Sequence, residues 1–359
     1  MRSSLVIILI LSISLPLYSE NIVLKLDLEI GEPNDIIFDR LIDIATDSKN
    51  DIYVLDRKEK VIYKFRENGT FLRKIGRAGQ GPGEFSGPCS IYIDSRDSIY
   101  VLDDLNRRIE VFNKDCACIN TIRIINFPIG NSKRIVVDNN NNIYISGYYP
   151  NMNSILVKYS PKGGILKKYE LPIFEYAGIA FDDPGKRIVN QYLVGGSSCV
   201  DDNDKLYVSY SWPYLIKVIS AEGNEMHQIN GKADYSWTPF IYKTNEINGM
   251  LFSESTRTIK IFLMKNGYFV NSIYVKDWEG NPKRILDMSI LRKNPESYYK
   301  IKGEYAVLDF YSKEGKIVYS ARINNKIYFL CSDKKGRILG VKLDDSDFPK
   351  VVRYNVDII

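Results

Sequence analysis

Histidine is almost absent from this sequence, since His227 is the single histidine among 359 residues. Zinc enzymes and Ser-His-Asp hydrolases both need histidine, as a metal ligand or as a general base. One histidine cannot supply a metal site built from several, and His227 lies in no nucleophile motif. The sequence therefore predicts neither class of active site.

Cysteine is also scarce, and the five residues are an odd number. At least one must stay unpaired, and their wide spacing gives no disulfide framework. The closest two are separated by one residue and would need a partner such as histidine to bind a metal. We predict buried or turn cysteines and no metal site at Cys89, Cys116, Cys118, Cys199 or Cys331.

Dense runs of one charge are missing too. The chain has 49 Lys and Arg and 44 Asp and Glu, which gives a net charge of +5. No basic stretch could follow a phosphate backbone, so no nucleic-acid partner is predicted.

The only long apolar run is Leu5–Leu17, preceded by Arg2 and followed by Ser19. This pattern predicts a signal peptide over residues 1–19, too short for a comfortable membrane span, and the alternative is an uncleaved anchor. We expect an exported protein, periplasmic or extracellular, with no membrane insertion after cleavage and one domain over residues 20–359.

The sequence does contain a repeat. An offset of 47 residues places Ile52–Asp56 on Ile99–Asp103 and Asp47 on Asp94. Short alternating strands joined by Asp- and Asn-rich turns at such a period are typical of a β-propeller. The Asp residues are predicted as turn residues and not as calcium ligands, because each repeats within its own unit instead of converging on one point.

The predicted fold is all-β: a six-bladed β-propeller of four-stranded antiparallel blades. Past residue 240 the repeat fades, but the strands flanking Lys265–Gly267 and Ile323–Asn325 predict two further hairpins. Because Phe38–Asp47 matches Phe85–Asp94, the segment Ile22–Ile30 is predicted as the outer strand of the last blade, which closes the ring. The blades are predicted to start near residues 41, 90, 134, 197, 247 and 303.

Two segments resemble NHL-repeat propellers: Gly76–Phe85, with the sequence GRAGQGPGEF, and Asp103–Phe112, with the sequence DDLNRRIEVF. The second follows the family pattern at Asp103, Asn106 and Arg108. With its signal peptide, the whole chain is similar to bacterial six-bladed β-propeller proteins. The resemblance implies that the motif residues hold blades together, with Asn106 and Arg108 bonding the corner and the neighbouring blade.

Function is predicted from the loops. Two corners, Gly147–Pro150 and Tyr210–Tyr214, should share one face of the disc with the GPGEF connector and with two long insertions at 171–197 and 230–245. Exposed aromatic side chains on a rigid scaffold suit recognition of a protein, peptide or glycan; alternatively, these aromatics bury against the insertions as a local cap. The candidate ligand-binding residues are Tyr148, Tyr149, Trp212, Tyr214, Trp237, Arg77 and Gln80.

The predicted function is a non-catalytic binding or interaction module without a cofactor. The alternative is a calcium-dependent hydrolase or lactonase, which would use acidic and amide side chains converging on the central channel. No local motif marks such a set of residues. Calcium is therefore kept only as part of the alternative.

Overall fold

In the computed structural model, every regular element among the described residues is a β-strand. A helix able to span a membrane is not found in this part of the chain. The structure describes residues 22–31, 36–149, 151–152, 154–170, 175–176, 179–180, 196–210, 214–230, 240–243, 248–251, 257–265, 267–279, 300–323, 326–343 and 348–358.

Six four-stranded antiparallel sheets form the blades. Blade 1 contains β2 (Leu41–Thr46), β3 (Ile52–Asp56), β4 (Val61–Phe65) and β5 (Phe71–Ile75), and blade 2 contains β8 (Pro88–Ile93), β9 (Ile99–Asp103), β10 (Arg108–Phe112) and β11 (Cys118–Arg123). Blade 3 contains β12 (Ile129–Val137), β13 (Ile143–Tyr149), β14 (Ser154–Tyr159) and β15 (Ile165–Glu170), and blade 4 contains β18 (Ser197–Val200), β19 (Leu206–Tyr210), β20 (Leu215–Ile219) and β21 (Glu225–Asn230). Blade 5 contains β24 (Arg257–Leu263), β25 (Phe269–Glu279), β26 (Lys300–Tyr311) and β27 (Ile317–Ile323), and blade 6 contains β28 (Ile327–Ser332), β29 (Ile338–Lys342), β30 (Lys350–Ile358) and β1 (Ile22–Ile30).

Short two-stranded pairs lie in the connections between blades. One is parallel and brackets the GPGEF connector, while the other two are antiparallel. They are β6 (Arg77–Ala78) with β7 (Glu84–Phe85), β16 (Glu175–Tyr176) with β17 (Ile179–Ala180), and β22 (Phe240–Lys243) with β23 (Asn248–Leu251).

The inner strands form a closed ring around a central channel. Each of β2, β8, β12, β18, β24 and β28 contacts the inner strands of the two neighbouring blades. The hydrophobic core lies between adjacent blades: Leu55 of blade 1, for example, packs in one buried cluster with Ile91 and Val101 of blade 2. Every blade therefore covers the apolar face of its neighbour, as a propeller requires.

Blade 6 combines both ends of the described chain. The N-terminal strand β1 is its outermost strand and pairs antiparallel with β30, from Ile22 opposite Ile358 to Ile30 opposite Val351. Since the first and last segments share one sheet, separating them would expose two sheet edges.

The predicted blade starts are close for the first four blades, whose inner strands begin at Leu41, Pro88, Ile129 and Ser197. The predicted start near residue 247 is wrong, because the inner strand of blade 5 begins at Arg257. The start near residue 303 is wrong as well: this residue lies inside β26, the third strand of blade 5.

The hairpin predicted around Ile323–Asn325 is wrong for a related reason. The strands on its two sides, β27 and β28, belong to different blades. Blade 5 has long second and third strands of 11 and 12 residues, which carry it past the 47-residue period and move the next blade to Ile327. The other predicted hairpin, at Lys265–Gly267, is confirmed by the pairing of β24 with β25.

The turns between inner and second strands confirm the predicted role of the repeated Asp residues. In blade 1, Asp47 Oδ1 accepts hydrogen bonds from the backbone N–H groups of Lys49 and Asp51, both at 2.9 Å. Asp94, Asp138, Asp201 and Asp333 accept the equivalent pairs in their own blades. Each carboxylate thus closes its own hairpin.

Candidate functional site

The inner strands bring five polar side chains to one level of the channel. Each lies four residues before the turn that joins the inner and second strands of its blade. Strand register supports the equivalence, since Asp43 is opposite Leu55, Ser90 opposite Leu102 and Lys260 opposite Ser272. We call this set the channel ring: Asp43, Ser90, Arg134, Ser197 and Lys260. In blade 6 the same position is Phe329, which packs in the core against Tyr354 at 5.8 Å.

β-Bulges precede several ring residues. The register between inner and second strand shifts between Leu41 and Asp43, between Pro88 and Ser90, and between Thr258 and Lys260. A bulge turns the following side chain out of the regular alternation of a strand. The bulges of blades 1, 2 and 5 therefore help to aim ring residues.

Asp43 and Lys260 form an ion pair across the channel. Blade 6 lies between blades 1 and 5, so the lysine must reach over a whole blade to the carboxylate. Asp43 is fully buried, and its Oδ2 also accepts hydrogen bonds from Ser90 Oγ at 2.8 Å and from the Ile91 N–H at 3.1 Å. Lys260 keeps 13% of its side chain exposed, so it marks the accessible side of the pair.

The charges around Asp43 decide its ionisation. Burial by itself would raise the pKa of the carboxyl group. The positive charges of Lys260 and Arg134 outweigh this effect, with help from the hydrogen bonds of Lys260 and Ser90, and the pKa is lowered. The carboxylate is consequently ionised at neutral pH.

A relay of hydrogen bonds passes from blade to blade along the ring. Asp43 of blade 1 accepts the Ile91 N–H of blade 2. In the same way Ser90 Oγ of blade 2 accepts the Ile135 N–H of blade 3, at 3.4 Å. In both steps, the side chain of a ring residue accepts a backbone N–H from the next blade. The donor is the residue directly after the ring residue of that blade.

The relay changes at Arg134 in blade 3. Its Nη1 donates to the Lys133 carbonyl at 3.0 Å, while its buried Nε has no partner. In blade 4, the side chains of Ser197 and Ser198 are each 1% exposed, and neither hydroxyl has a hydrogen-bond partner. With two cations and one carboxylate, the ring has a net charge of +1.

The predicted aromatic residues lie elsewhere. Tyr148 and Tyr149 are buried near the end of β13, and Tyr149 donates its hydroxyl to the Ile145 carbonyl at 3.0 Å. Tyr214 is buried between blades 4 and 5 and contacts Asp309 Oδ2 at 2.6 Å. The expected exposure is therefore wrong for these three tyrosines. The alternative, burial against the insertions at 171–197 and 230–245, concerns segments that lie mostly outside the described residues. Trp212 and Trp237 lie outside the described residues, and a ligand-binding role for any of the five stays a prediction.

Arg77 and Gln80 are exposed at the GPGEF connector, and their ligand-binding role stays a prediction. Arg77 Nε contacts Glu84 Oε1 at 2.8 Å, which holds the connector together. Arg108 Nη1 donates to the Gln80 carbonyl at 2.6 Å, and Asn106 Nδ2 donates to the Gly79 carbonyl at 3.1 Å. The NHL-type motif residues thus fasten the connector to the corner of blade 2.

The remaining candidates for chemistry are dispersed. His227 lies exposed on the outer strand of blade 4. All five cysteines are free, and burial raises the pKa of the Cys118 thiol to about 11, with added contributions from the neighbouring Glu110. Among the described residues, no group of three or more His, Cys, Asp or Glu side chains is placed to hold a metal ion.

A shallow depression of about 580 Å³ lies beside the junction of blades 1 and 6. Three of its charged residues, Asp51, Glu67 and Arg353, are already engaged in ion pairs. Arg353 contacts Asp27 Oδ2 at 2.6 Å and the Glu67 carbonyl at 2.6 Å, and the Glu67 carboxylate pairs with Arg337 at 2.8 Å. The depression therefore serves the joint between the first and last blades and ranks below the channel ring as a ligand site.

Sequence reasoning missed the channel ring. A signal for part of it was present, because the turn residues Asp47, Asp94, Asp138 and Asp201 fix the position four residues earlier in each repeat. The residues at that position in the first four blades are Asp43, Ser90, Arg134 and Ser197. Lys260 could not be read in this way, since Met264 replaces the turn Asp in blade 5.

Comparisons with known proteins agree with this architecture. Residues 34–177 match a sequence family described as "6-bladed beta-propeller". NHL repeat-containing protein 3 from Homo sapiens is 32% identical over 85 residues, which cover 23% of this chain and 24% of that protein. The match therefore spans about a quarter of that relative.

Two solved structures share the fold. A member of the DUF4221 family from Bacteroides vulgatus has a TM-score of 0.60 at 12% identity, covering 95% of this chain and 99% of its own. A protein from Bacteroides fragilis described as exported has a TM-score of 0.57 at 11% identity, covering 94% of this chain and 95% of its own. At such identities the likeness concerns the fold alone. The blades show a six-bladed β-propeller fold. The family match over residues 34–177 and the NHL relative over 85 residues show similarity to such propellers over part of the chain.

Proposed function

We propose that this protein is a non-catalytic binding module whose ligand enters the central channel and contacts the channel ring. The observation that carries the proposal is the Lys260–Asp43 ion pair, which spans the channel and gathers polar side chains from several blades at one level. Binding sites are typically concave and hold a few convergent polar groups on a rigid scaffold. The ring has both properties.

The charges of the ring favour binding over calcium-dependent hydrolysis. A calcium site needs several carboxylate or carbonyl oxygens directed at one point. Asp43 is the one acidic member of the ring, and it is already held by Lys260 and Ser90. Two cations at the same level would also repel a divalent cation.

The ligand class follows from the same chemistry. A ring with donors, acceptors and both charges suits a polar ligand, such as a peptide or glycan segment or part of a partner protein. The buried tyrosines take less part in this proposal than the sequence suggested. Export to the periplasm or cell exterior is proposed on the apolar segment Leu5–Leu17.

A binding assay on matched variants tests the proposal. Dipeptides and oligosaccharides are added to the wild-type protein, to Lys260→Met and to Lys25→Met, and the melting temperature is followed. Lys25 is the control because its ion pair with Asp357 lies exposed on the outer strand. We expect at least one probe class to raise the melting temperature saturably in wild type and Lys25→Met but not in Lys260→Met.

Hydrolysis of a sugar lactone, with calcium or with EDTA, separates the two functions. A binding module should show no turnover above the buffer rate. Calcium-dependent hydrolysis that disappears in Asp43→Asn would contradict the proposal and establish the enzyme instead.

A further inference from the structure

The geometry points to a site for a small carboxylate between blades 3 and 4, where the anionic group of a ligand is held by Arg134, Ser197 and Ser198. This inference rests on the proposed function and names the chemistry of the ligand. It is argued from the relay of hydrogen bonds around the ring and from the place where that relay is interrupted.

The first step is the regular part of the relay. Asp43 and Ser90 each accept a backbone N–H from the next blade, from Ile91 and Ile135 respectively. Both acceptors are members of the channel ring. Each donor belongs to the next blade and is the residue directly after the ring residue of that blade. By this register, Arg134 of blade 3 takes the position of the acceptors and Ser198 of blade 4 takes the position of the donors, and their strands β12 and β18 are adjacent.

The second step is that Arg134 offers hydrogen-bond donors at the position where Asp43 and Ser90 offer acceptors. A guanidinium group has five N–H donors and no acceptor, so it cannot accept the N–H at the position where Asp43 and Ser90 do so. Donors from blade 3 therefore face donors from blade 4. An added acceptor between them would complete the relay.

The third step is the set of groups left without partners. Arg134 Nε, Ser197 Oγ and Ser198 Oγ are all buried and have no hydrogen-bond partner. Leaving such groups unsatisfied is costly, so their presence on the two strands of one junction indicates a bound acceptor. Arg134 itself is only half-buried, which leaves a side from which a ligand can approach.

The fourth step is charge. Asp43 compensates one of the two ring cations, and Lys260 holds it in a direct ion pair. The ring therefore carries one positive charge in excess, and Arg134, whose charge also acts on Asp43, has no direct ion pair among the described residues. A carboxylate supplies one negative charge and several lone pairs, and it forms strong charge-assisted hydrogen bonds with guanidinium groups.

The test uses acetate as the probe, with acetamide as its neutral analogue of similar size. Both are titrated into the wild-type protein, Arg134→Gln, Ser198→Ala and Arg73→Gln at constant ionic strength, by calorimetry and by thermal shift. Arg73 is the matched control because it is exposed on the outer strand of blade 1. We expect saturable acetate binding in wild type and Arg73→Gln, with the dissociation constant raised at least about tenfold in Arg134→Gln.

Ser198→Ala keeps the test decisive if Arg134→Gln folds poorly. Removing a buried hydroxyl that has no partner should leave the melting temperature without ligand unchanged or higher. The same change should weaken acetate binding. Phosphate and sulfate titrations distinguish a planar carboxylate site from a general oxyanion site, and equal affinity for all three would overturn the assignment to a carboxylate.

Two further results would overturn the inference. One is acetamide binding as well as acetate, and the other is an equal acetate response in wild type and Ser198→Ala. Either could occur while a dipeptide or oligosaccharide still binds in a manner that depends on Lys260. The proposed function would then stand without the carboxylate site.

Discussion

At the scale of single residues, Asp43 shows how a buried charge can be tolerated. Its side chain has no exposed surface, but Lys260, Ser90 and the Ile91 N–H contact its two oxygens. Two cations lower the pKa of the carboxyl group in spite of burial. The residue therefore contributes to stability only while its partners are present and it is ionised.

Replacing Asp43 by Asn should destabilise the protein at neutral pH by about 3–5 kcal/mol, because Lys260 and Arg134 would lose the charge that compensates them. The pKa in the folded state is lowered from the ordinary value of 3.8. The stability due to the charge is thus fully present above that pH and is lost as the pH falls through the folded-state pKa. Urea unfolding of wild type and Asp43→Asn should therefore differ most near neutral pH and converge in acid.

The control for this change is Asp39→Asn. Asp39 forms an exposed ion pair with Lys58 at 2.6 Å, and solvent screening leaves such exposed pairs with little effect on stability. If both variants lost the same free energy of unfolding, the ring would have no special energetic role.

At the scale of structural elements, the turns between inner and second strands connect the blades to each other. In blades 1, 2 and 4, the residue with positive φ in this turn reaches the turn of the preceding blade. Asn50 Oδ1 accepts the Lys334 N–H at 2.9 Å, Asp97 Oδ1 accepts the Ser48 N–H at 2.8 Å, and Asp204 Oδ1 accepts the Asn139 N–H at 2.8 Å.

Blades 5 and 6 differ from this pattern. Their positive-φ turn residues are Gly267 and Gly336, which have no side chain to reach across. Gly267 and Gly336 therefore cannot provide the side-chain links from blade 5 to blade 4 and from blade 6 to blade 5, whereas Asn50 still links blade 1 to blade 6.

Changing Asn50 to Gly should lower the free energy of unfolding by about 1 kcal/mol, since Gly keeps the positive φ but removes the acceptor. Asn126→Gly is the matched control, because Asn126 also has a positive φ, at 57°, and is exposed. Chemical denaturation of both variants measures the difference. Equal losses would show that the turn-to-turn bond does not stabilise the ring.

At the scale of the whole molecule, stability depends on the joint between the first and last blades. Arg353 is 5% exposed and connects three segments: its own strand β30, Asp27 of β1 and the Glu67 carbonyl of blade 1. Arg337 joins the same network through Glu67 and Asp333. A repeat protein that contacts only its neighbours opens most easily at its weakest junction.

Replacing Arg353 by Met should destabilise the protein by about 2–4 kcal/mol, because Asp27 and the Glu67 carbonyl would lose a charged donor. Amide hydrogen exchange should become faster in β1 and β30 before it does in blades 2 and 3. Lys25→Met, in the same sheet but at an exposed ion pair, should leave exchange unchanged. Uniformly faster exchange in all blades would mean that the joint does not open separately.

The extent to which the sequence predicted this structure varies along the chain. The turn Asp residues and the second strands repeat closely in the first four blades, so strands, turns and blade starts could be read there. In blade 5, Met264 replaces the turn Asp and the middle strands are long, so the period no longer gives the boundary. The exposure of Tyr149 and Tyr214 could not be read either, because it depends on how neighbouring strands and blades pack over them.

The sequence by itself determined the fold class and the turn chemistry, because strand alternation and Asp-rich hairpins are local properties that a repeat makes visible. Only the tertiary structure decided where polar groups converge. Asp43 and Lys260 are 217 residues apart in the chain and meet because six inner strands close around one axis. Long-range closure, which no local pattern encodes, therefore placed the candidate site in the channel instead of on the loops.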